Sequence, residues 1–254
     1  MPIVVESQGP LALVRIEERG KKNALTAENV DGLEAALTRL DADGAVRVVV
    51  LAGADGDFSA GADLRTVGAV TPDAAFAFSR RMQRLTRLVA DLGPVTVAAL
   101  EGWVLGAGME LALAVDLRVV SRSARLGVPE VRYGLVPAAG GTVFLADVVG
   151  RAMALRLLLT GDAVTPDRFP EGVFVQITEP GEAEAVAVRL GEGLAARPRA
   201  GQTAAKRALA LQHAADHTIR LTLEADLFQH LMADPEVACR INTFLEKADG
   251  SGPR

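Results

Sequence analysis

The sequence predicts an α/β protein with a helical C-terminal region, on three observations. Two runs, VRVVVLAG at 46–53 and VTVAALEG at 95–102, are apolar without alternation, as in strands buried on both faces of a parallel sheet. Each is followed by a glycine-rich turn and then by a segment of helical apolar period, the order of an α/β fold. From about Gly181 onward only helical patterns remain.

In chain order, Ile3 to Val5 and Leu11 to Glu17 have strand character, and Gly9-Pro10 between them marks a hairpin turn. Thr26 is placed to cap a helix running to about Leu40. Strand Val46 to Leu51, turn Ala52 to Gly61 and a helix from about Pro72 to Asp91, carrying Phe76, Met82, Leu85 and Leu88, form the next unit. A third unit repeats the order: strand Val95 to Leu100, turn Gly102 to Gly108, helix Ala107 to Val115, then strand Leu117 to Val120. Pro166 and Pro170 oppose a helix in the segment 161–177, which is expected as a loop. No low-complexity linker marks a boundary, so the C-terminal helices are expected to pack on the body or on a neighbouring subunit, with a core of residues 1–195 and a helical packing or oligomerisation region of residues 196–254.

The 254 residues suffice to bury a substantial core. Half are hydrophobic and only 4% aromatic, so the core is assembled from many small contacts. No apolar stretch approaches the roughly 20 residues of a membrane span, and Met1 to Gly9 lacks the basic and long apolar regions of a signal peptide. A cytoplasmic protein is expected. The net charge of −5 and pI near 5.3 argue against a dedicated nucleic-acid binder. Cys239 is the single cysteine, and His213, His217 and His230 match no ligand motif, so neither a disulfide nor a metal site is expected.

The chemistry is concentrated in two turns, FSAGADL at 58–64 and GWVLGAGMEL at 102–111. Small residues let a ligand approach the backbone, and free N–H groups at a helix start face negative charge; two such turns side by side could form an oxyanion hole. Each alone is also an ordinary strand-to-helix turn, and GAGMEL lacks the third glycine and acidic partner of a dinucleotide fingerprint.

Together with ERGKKNALT at 18–26, RVVVLAGADGDFSAGADL at 47–64, PVTVAALEGWVLGAGMELALAVDLRV at 94–119, LGVPEVRYGLVPAAGGTVFL at 126–145 and the closing DPEVACRINTFLEK at 234–247, these turns resemble the enoyl-CoA hydratase/isomerase, or crotonase, family from about residue 10 to residue 247. The resemblance implies a ββα-spiral core with C-terminal helices, assembled as a homotrimer or a hexamer built as a dimer of trimers. It implies an acyl-CoA substrate whose thioester oxygen is held by the N–H groups of Ala62 and Ala107, and a coenzyme A site at Lys22, Ala24, Leu25, Ala60, Asp63 and Leu64. Coenzyme A is then part of the substrate, with no separate cofactor. Lys21 and Lys22 would supply a local positive patch, although alone they read as a solvated basic loop.

Two acids select the reaction. The family's hydratases flank the bound water with one acid after the second turn and another about twenty positions later, and Glu110 in GMEL and Glu130 in VPEV occupy both places. Hydration of a conjugated double bond needs a base for water and an acid for Cα; two carboxylates in one partly desolvated cleft resist simultaneous ionisation, which supplies both. Glu110 is assigned mainly to water activation and Glu130 mainly to proton donation. Outside the resemblance, Glu110 reads as a first-turn helix acid and Glu130 as an exposed loop carboxylate. Isomerisation, decarboxylation or hydrolysis of an acyl-CoA, and a non-catalytic acyl-CoA binder, are the alternatives. Ala107 and Ala138 stand where the family more often has glycine. Trp103 is read as packing, and Tyr133, beside the cleft or buried against Pro129, is given no role. The acyl pocket is expected from the region 65–73 and the C-terminal helices.

Overall fold

The computed structural model describes residues 3–18 and 20–210. The chain divides into a unit of residues 1–196 and a unit of residues 197–254. Cys239, the three histidines and the closing segment 234–247 lie outside the described residues.

In the first unit, strands β1 (Ile3–Gln8) and β2 (Leu11–Ile16) form the expected hairpin across Gly9. Helix α1 (Ala27–Ala42) is capped by Thr26, whose hydroxyl accepts from Asn29 N, satisfying one of the donors a helix start leaves open. Strand β3 (Val48–Gly53) begins two residues later than the apolar run, because Val46 N–H is used on Asp43 O, closing the turn after α1. The short helix α2 (Leu64–Gly68) and the long α3 (Pro72–Asp91) follow, then β4 (Val95–Leu100). Inside the second turn lies a strand the sequence did not announce, β5 (Trp103–Leu105), before α4 (Ala107–Ala114) and β6 (Leu117–Ser121). Strand β7 (Arg125–Gly127) and a single 3-10 turn at Pro129–Tyr133 lead into α5 (Gly141–Thr160). The segment 161–177 is not a plain loop: Val164 bridges Leu126, the prolines admit one 3-10 turn at Pro166–Arg168, and it runs into strand β8 (Gln176–Thr178), paired with β6. Helix α6 (Ala183–Ala195) completes the unit, and the second contains α7 (Arg199–Ala210).

Six strands form one sheet in the order β1-β2-β3-β4-β6-β8, parallel except for the β1 hairpin, while β5 and β7 form a separate parallel pair. Alternate residues of the central strands enter two cores, as their period of two requires. Val49, Leu51, Ala98, Leu100 and Val120 face α1, α3, α4 and α5. Val48, Val50, Val95, Val97 and Val119 face α6, which approaches closely at Gly191, where an added Cβ would lie 2.7 Å from Leu11 Cδ1. Burial on both faces explains the absence of alternation in these runs.

Candidate active site

The two turns meet because each follows a strand and closes on the other. Ser59 N donates to Trp103 O and Leu105 N to Ser59 O, so the first turn adds to the edge of β5. The basic segment is tied in from the other side: Ala60 N donates to Lys22 O, Leu25 N to Gly61 O, and Asp63 N to Leu25 O. With residues 61 and 63 bonded to Leu25, strand alternation turns the N–H of Ala62 the opposite way, and it donates to no protein acceptor among the described residues. Ala107 opens α4, so its N–H also lacks an intrahelical partner. Gly61, at φ +92°, makes the approach possible: a Cβ there would fall 2.5 Å from Leu105 O and 3.1 Å from Ala107 N.

Glu110 lies in the first turn of α4, itself buried along its whole length. Its side chain is 1% exposed, and Oε1 accepts from Ala139 N at 2.8 Å and Gly141 N at 2.6 Å. Helix α3 holds that donor loop, through Ser79 Oγ to Ala138 O at 2.8 Å and Thr86 Oγ1 to Ala139 O at 2.6 Å. Burial pushes the Glu110 carboxyl from 4.5 up to about 7; the two N–H groups oppose the rise and the charge of Glu130 adds to it.

Glu130 comes from the 3-10 turn and is half-buried rather than an exposed loop acid. Gly106, at φ +51°, leaves room for it: a Cβ at 106 would lie 3.0 Å from Glu130 Oε1. Glu130 Oε2 is buried with no hydrogen-bond partner, and desolvation raises its pKa. The two acids therefore differ: Glu110 is clasped by the N–H groups of two other residues, while burial of Glu130 is opposed only by its own backbone N–H.

Both acids line a cavity of about 300 Å³ together with Ala60, Ala62, Leu64 and Ala107. Its other walls come from Val67, from Phe78 and Met82 of α3, and from Tyr133, Leu135 and Val136. Tyr133 is 60% exposed, which removes the alternative of burial against Pro129. Lys22, Ala24, Leu25 and Asp63 are not among the lining residues. Ala24 and Leu25 are buried; Asp63 caps α2 through Arg65 N and Thr66 N. Lys21 is paired with Glu18 at 3.6 Å and Asp63 at 3.4 Å, so the basic patch is partly neutralised. Lys22 Nζ sits 4.8 Å from the centroid of the Trp103 ring, which gives that tryptophan a cation to hold as well as a packing role.

The sequence reading missed the backbone donors at Ala139 and Gly141, the threonine that fixes them, and the α3 wall. The available signal was the Gly140-Gly141 pair: a Cβ at Gly141 would lie 2.9 Å from Glu110 Oε1. Among the described residues, no cluster of His, Cys, Asp or Glu is arranged to hold a metal ion, and no helix is long and apolar enough to cross a membrane.

The profile of the enoyl-CoA hydratase/isomerase family matches residues 6–251. The crotonyl-CoA hydratase of Syntrophomonas wolfei is 29% identical over 247 residues, covering 96% of this chain and 95% of that protein. The 2,3-dehydroadipyl-CoA hydratase of Escherichia coli is 33% identical over 250 residues, covering 96% of each. The crystal structure of an enoyl-CoA hydratase from Bacillus anthracis superposes with a TM-score of 0.92 at 26% identity, covering 97% of both chains. The fold is that of these crotonase-type structures.

Proposed function

The chain belongs to the enoyl-CoA hydratase/isomerase family, and from that membership we propose that it hydrates a 2-enoyl-CoA. The observation that carries this reading is the pair of carboxylates on one desolvated cavity, next to two unpaired backbone N–H groups.

In the proposed reaction, Glu110 takes a proton from water as the water oxygen bonds to Cβ. The π electrons move toward the thioester, whose oxygen becomes an enolate held by the N–H groups of Ala62 and Ala107. Glu130 then gives its proton to Cα. One O–H bond breaks, one C–O and one C–H bond form, and a proton returning from Glu110 to Glu130 resets the pair.

Local hydrogen bonding favours this division, since two N–H donors stabilise the ionised form of Glu110 and Glu130 Oε2 has no donor. Burial acts against it at Glu110, whose carboxyl is raised to about 7, and raises Glu130 as well. Because the acids interact, their ionisations belong to the pair. A preorganised backbone donor is typically worth on the order of 100- to 1000-fold in rate. The reading places coenzyme A within the substrate, with Lys22, Ala24, Leu25, Ala60, Asp63 and Leu64 around it, and includes no separate cofactor. It also includes a trimer or dimer of trimers in the cytoplasm, to be checked by sedimentation and by fractionation of the source cells.

The test is the loss of conjugated-thioester absorbance when crotonyl-CoA is mixed with the purified protein. Loss that disappears in both Glu110→Gln and Glu130→Gln is the expected result. No turnover of any 2-enoyl-CoA, despite binding of the ester, would reject hydration in favour of isomerisation, decarboxylation, hydrolysis or binding alone.

A further inference from the structure

Gly61 is the torsionally freest point of the first turn. It holds φ +92°, a value that glycine adopts readily and other residues seldom do, and the peptide that follows it carries the Ala62 N–H. One side of this hinge is fixed by Leu25 N, which donates to Gly61 O at 2.7 Å; in a trans peptide the N–H of Ala62 then points the other way. The other side is fixed by a side chain. Ser59 Oγ accepts from Gly61 N at 3.1 Å and donates to Asn23 O at 2.8 Å.

Ser59 is fully buried and is not among the cavity's lining residues. Its acceptor is itself locked: the buried Asn23 accepts from Glu18 N through Oδ1 and donates through Nδ2 to Ala54 O and Asp57 O. With its proton committed to Asn23 O, the hydroxyl turns its lone pairs to Gly61 N. Ser59 also packs directly on α4, since a Cβ at Gly108 would lie 2.6 Å from Ser59 O and 2.8 Å from Ser59 Cβ. Gly108 follows Ala107 in the chain, as Ala62 follows Gly61. One residue thus touches the neighbour of each unpaired backbone donor.

We infer that Ser59 is a positioning residue for that pair of donors: its hydroxyl pins the Gly61 hinge that aims the Ala62 N–H, and its main chain seats against α4 beside Ala107. This rests on the reading of the two N–H groups as an oxyanion hole. Such donors are effective because their aim is set before charge develops on the substrate. Without the hydroxyl, Gly61 is held on one side only. Its N–H and Asn23 O also lose this partner in a buried place, a cost that rotation at Gly61 toward another acceptor relieves.

A ligand that reports on the thioester oxygen without hydration tests the inference. Acetoacetyl-CoA, a β-keto thioester, forms an enolate whose ultraviolet absorbance differs from that of the keto form, and an oxyanion hole raises the enolate-to-keto ratio of the bound ester. In Ser59→Ala that ratio is expected to fall by about tenfold, while affinity for coenzyme A alone, which lacks the acyl oxygen, stays within about twofold. With crotonyl-CoA, kcat should drop by about 10- to 100-fold at nearly constant KM, less than the roughly 100- to 1000-fold of a donor lost outright. Ser59→Cys, whose thiol is a weak donor and weak acceptor, should fall between, and it carries the same comparison if the alanine variant does not fold. Thr96→Val is the control for a merely structural loss. Thr96 is equally buried, and its hydroxyl exchanges bonds with Asp116 at the far end of β4 from the turn, so this variant should melt earlier with ratio and kcat unchanged. An unaltered ratio and kcat in the Ser59 variants overturns the inference, as does an equal fall in Thr96→Val. If the unaltered protein binds acetoacetyl-CoA without raising its enolate, the oxyanion reading fails and the inference with it. A Ser59-dependent enolate in a protein that hydrates no 2-enoyl-CoA upholds the inference and rejects only the hydratase reaction.

Discussion

Replacing Glu110 with glutamine should stabilise the protein at pH 8 and do little at pH 5. The amide oxygen can still accept from Ala139 N and Gly141 N, while the charge that burial opposes is gone. Burial raises this carboxyl from 4.5 to about 7. At about 1.4 kcal/mol per pKa unit, the ionised, buried acid costs on the order of 3 kcal/mol. Between pH 4.5 and about 7 the unfolded chain has released a proton that the folded chain still holds, so stability falls as pH rises through that window and the full penalty applies above it. Glutamine carries no such penalty. The expected gain is roughly 2–3 kcal/mol at pH 8 and under about 1 kcal/mol at pH 5, read from urea unfolding at the two pH values. A difference of the same size at both, or a variant less stable at pH 8, would refute the placement of an ionisable acid in a desolvated site.

Three further outcomes are expected. With crotonyl-CoA, kcat/KM should climb by about tenfold per pH unit below about 7, where Glu110 is still protonated; a flat profile from pH 5 to 7 contradicts its role as the base. Gly141→Ala would set a Cβ 2.9 Å from both Glu110 Oε1 and Pro137 Cβ, and the displaced acid should cost on the order of 100-fold in kcat, with melting curves separating this from unfolding. Thr86→Val keeps the shape of the side chain but removes the 2.6 Å bond to Ala139 O; a loss of about 1–3 kcal/mol is expected in urea titration, and none would show that the donor loop stands without α3.

The extent of this site legible in sequence follows from what each part depends on. Strand β4 and helix α3 have the limits expected from their patterns, because apolar runs and periods report burial directly. The start of β3 shifted, since a single backbone bond at Val46 outweighs an apolar side chain. Strand β5 escaped notice: three residues between glycines carry too little period to register, and its pairing with β7 is set by contacts distant in sequence. The acids could be named because carboxyl groups announce themselves; the donors that tune Glu110 are backbone N–H groups at Ala139 and Gly141, and any sequence has such groups everywhere. Phe78 and Met82 looked like ordinary core residues of a helix, and only packing shows that they also face the cavity.

The pairing of β5 with β7 bears on how such a site can change over time. Glu110 follows the end of one of these strands and Glu130 the end of the other, and the three registered pairs from Trp103–Arg125 to Leu105–Gly127 act as parallel rails that set both acids down on one cavity. The six-stranded sheet contains neither strand. Val104 and Leu126 anchor the rails in the same apolar core as the large sheet, so substitutions just past the rails can exchange one reacting group for another while the rails themselves keep their packing.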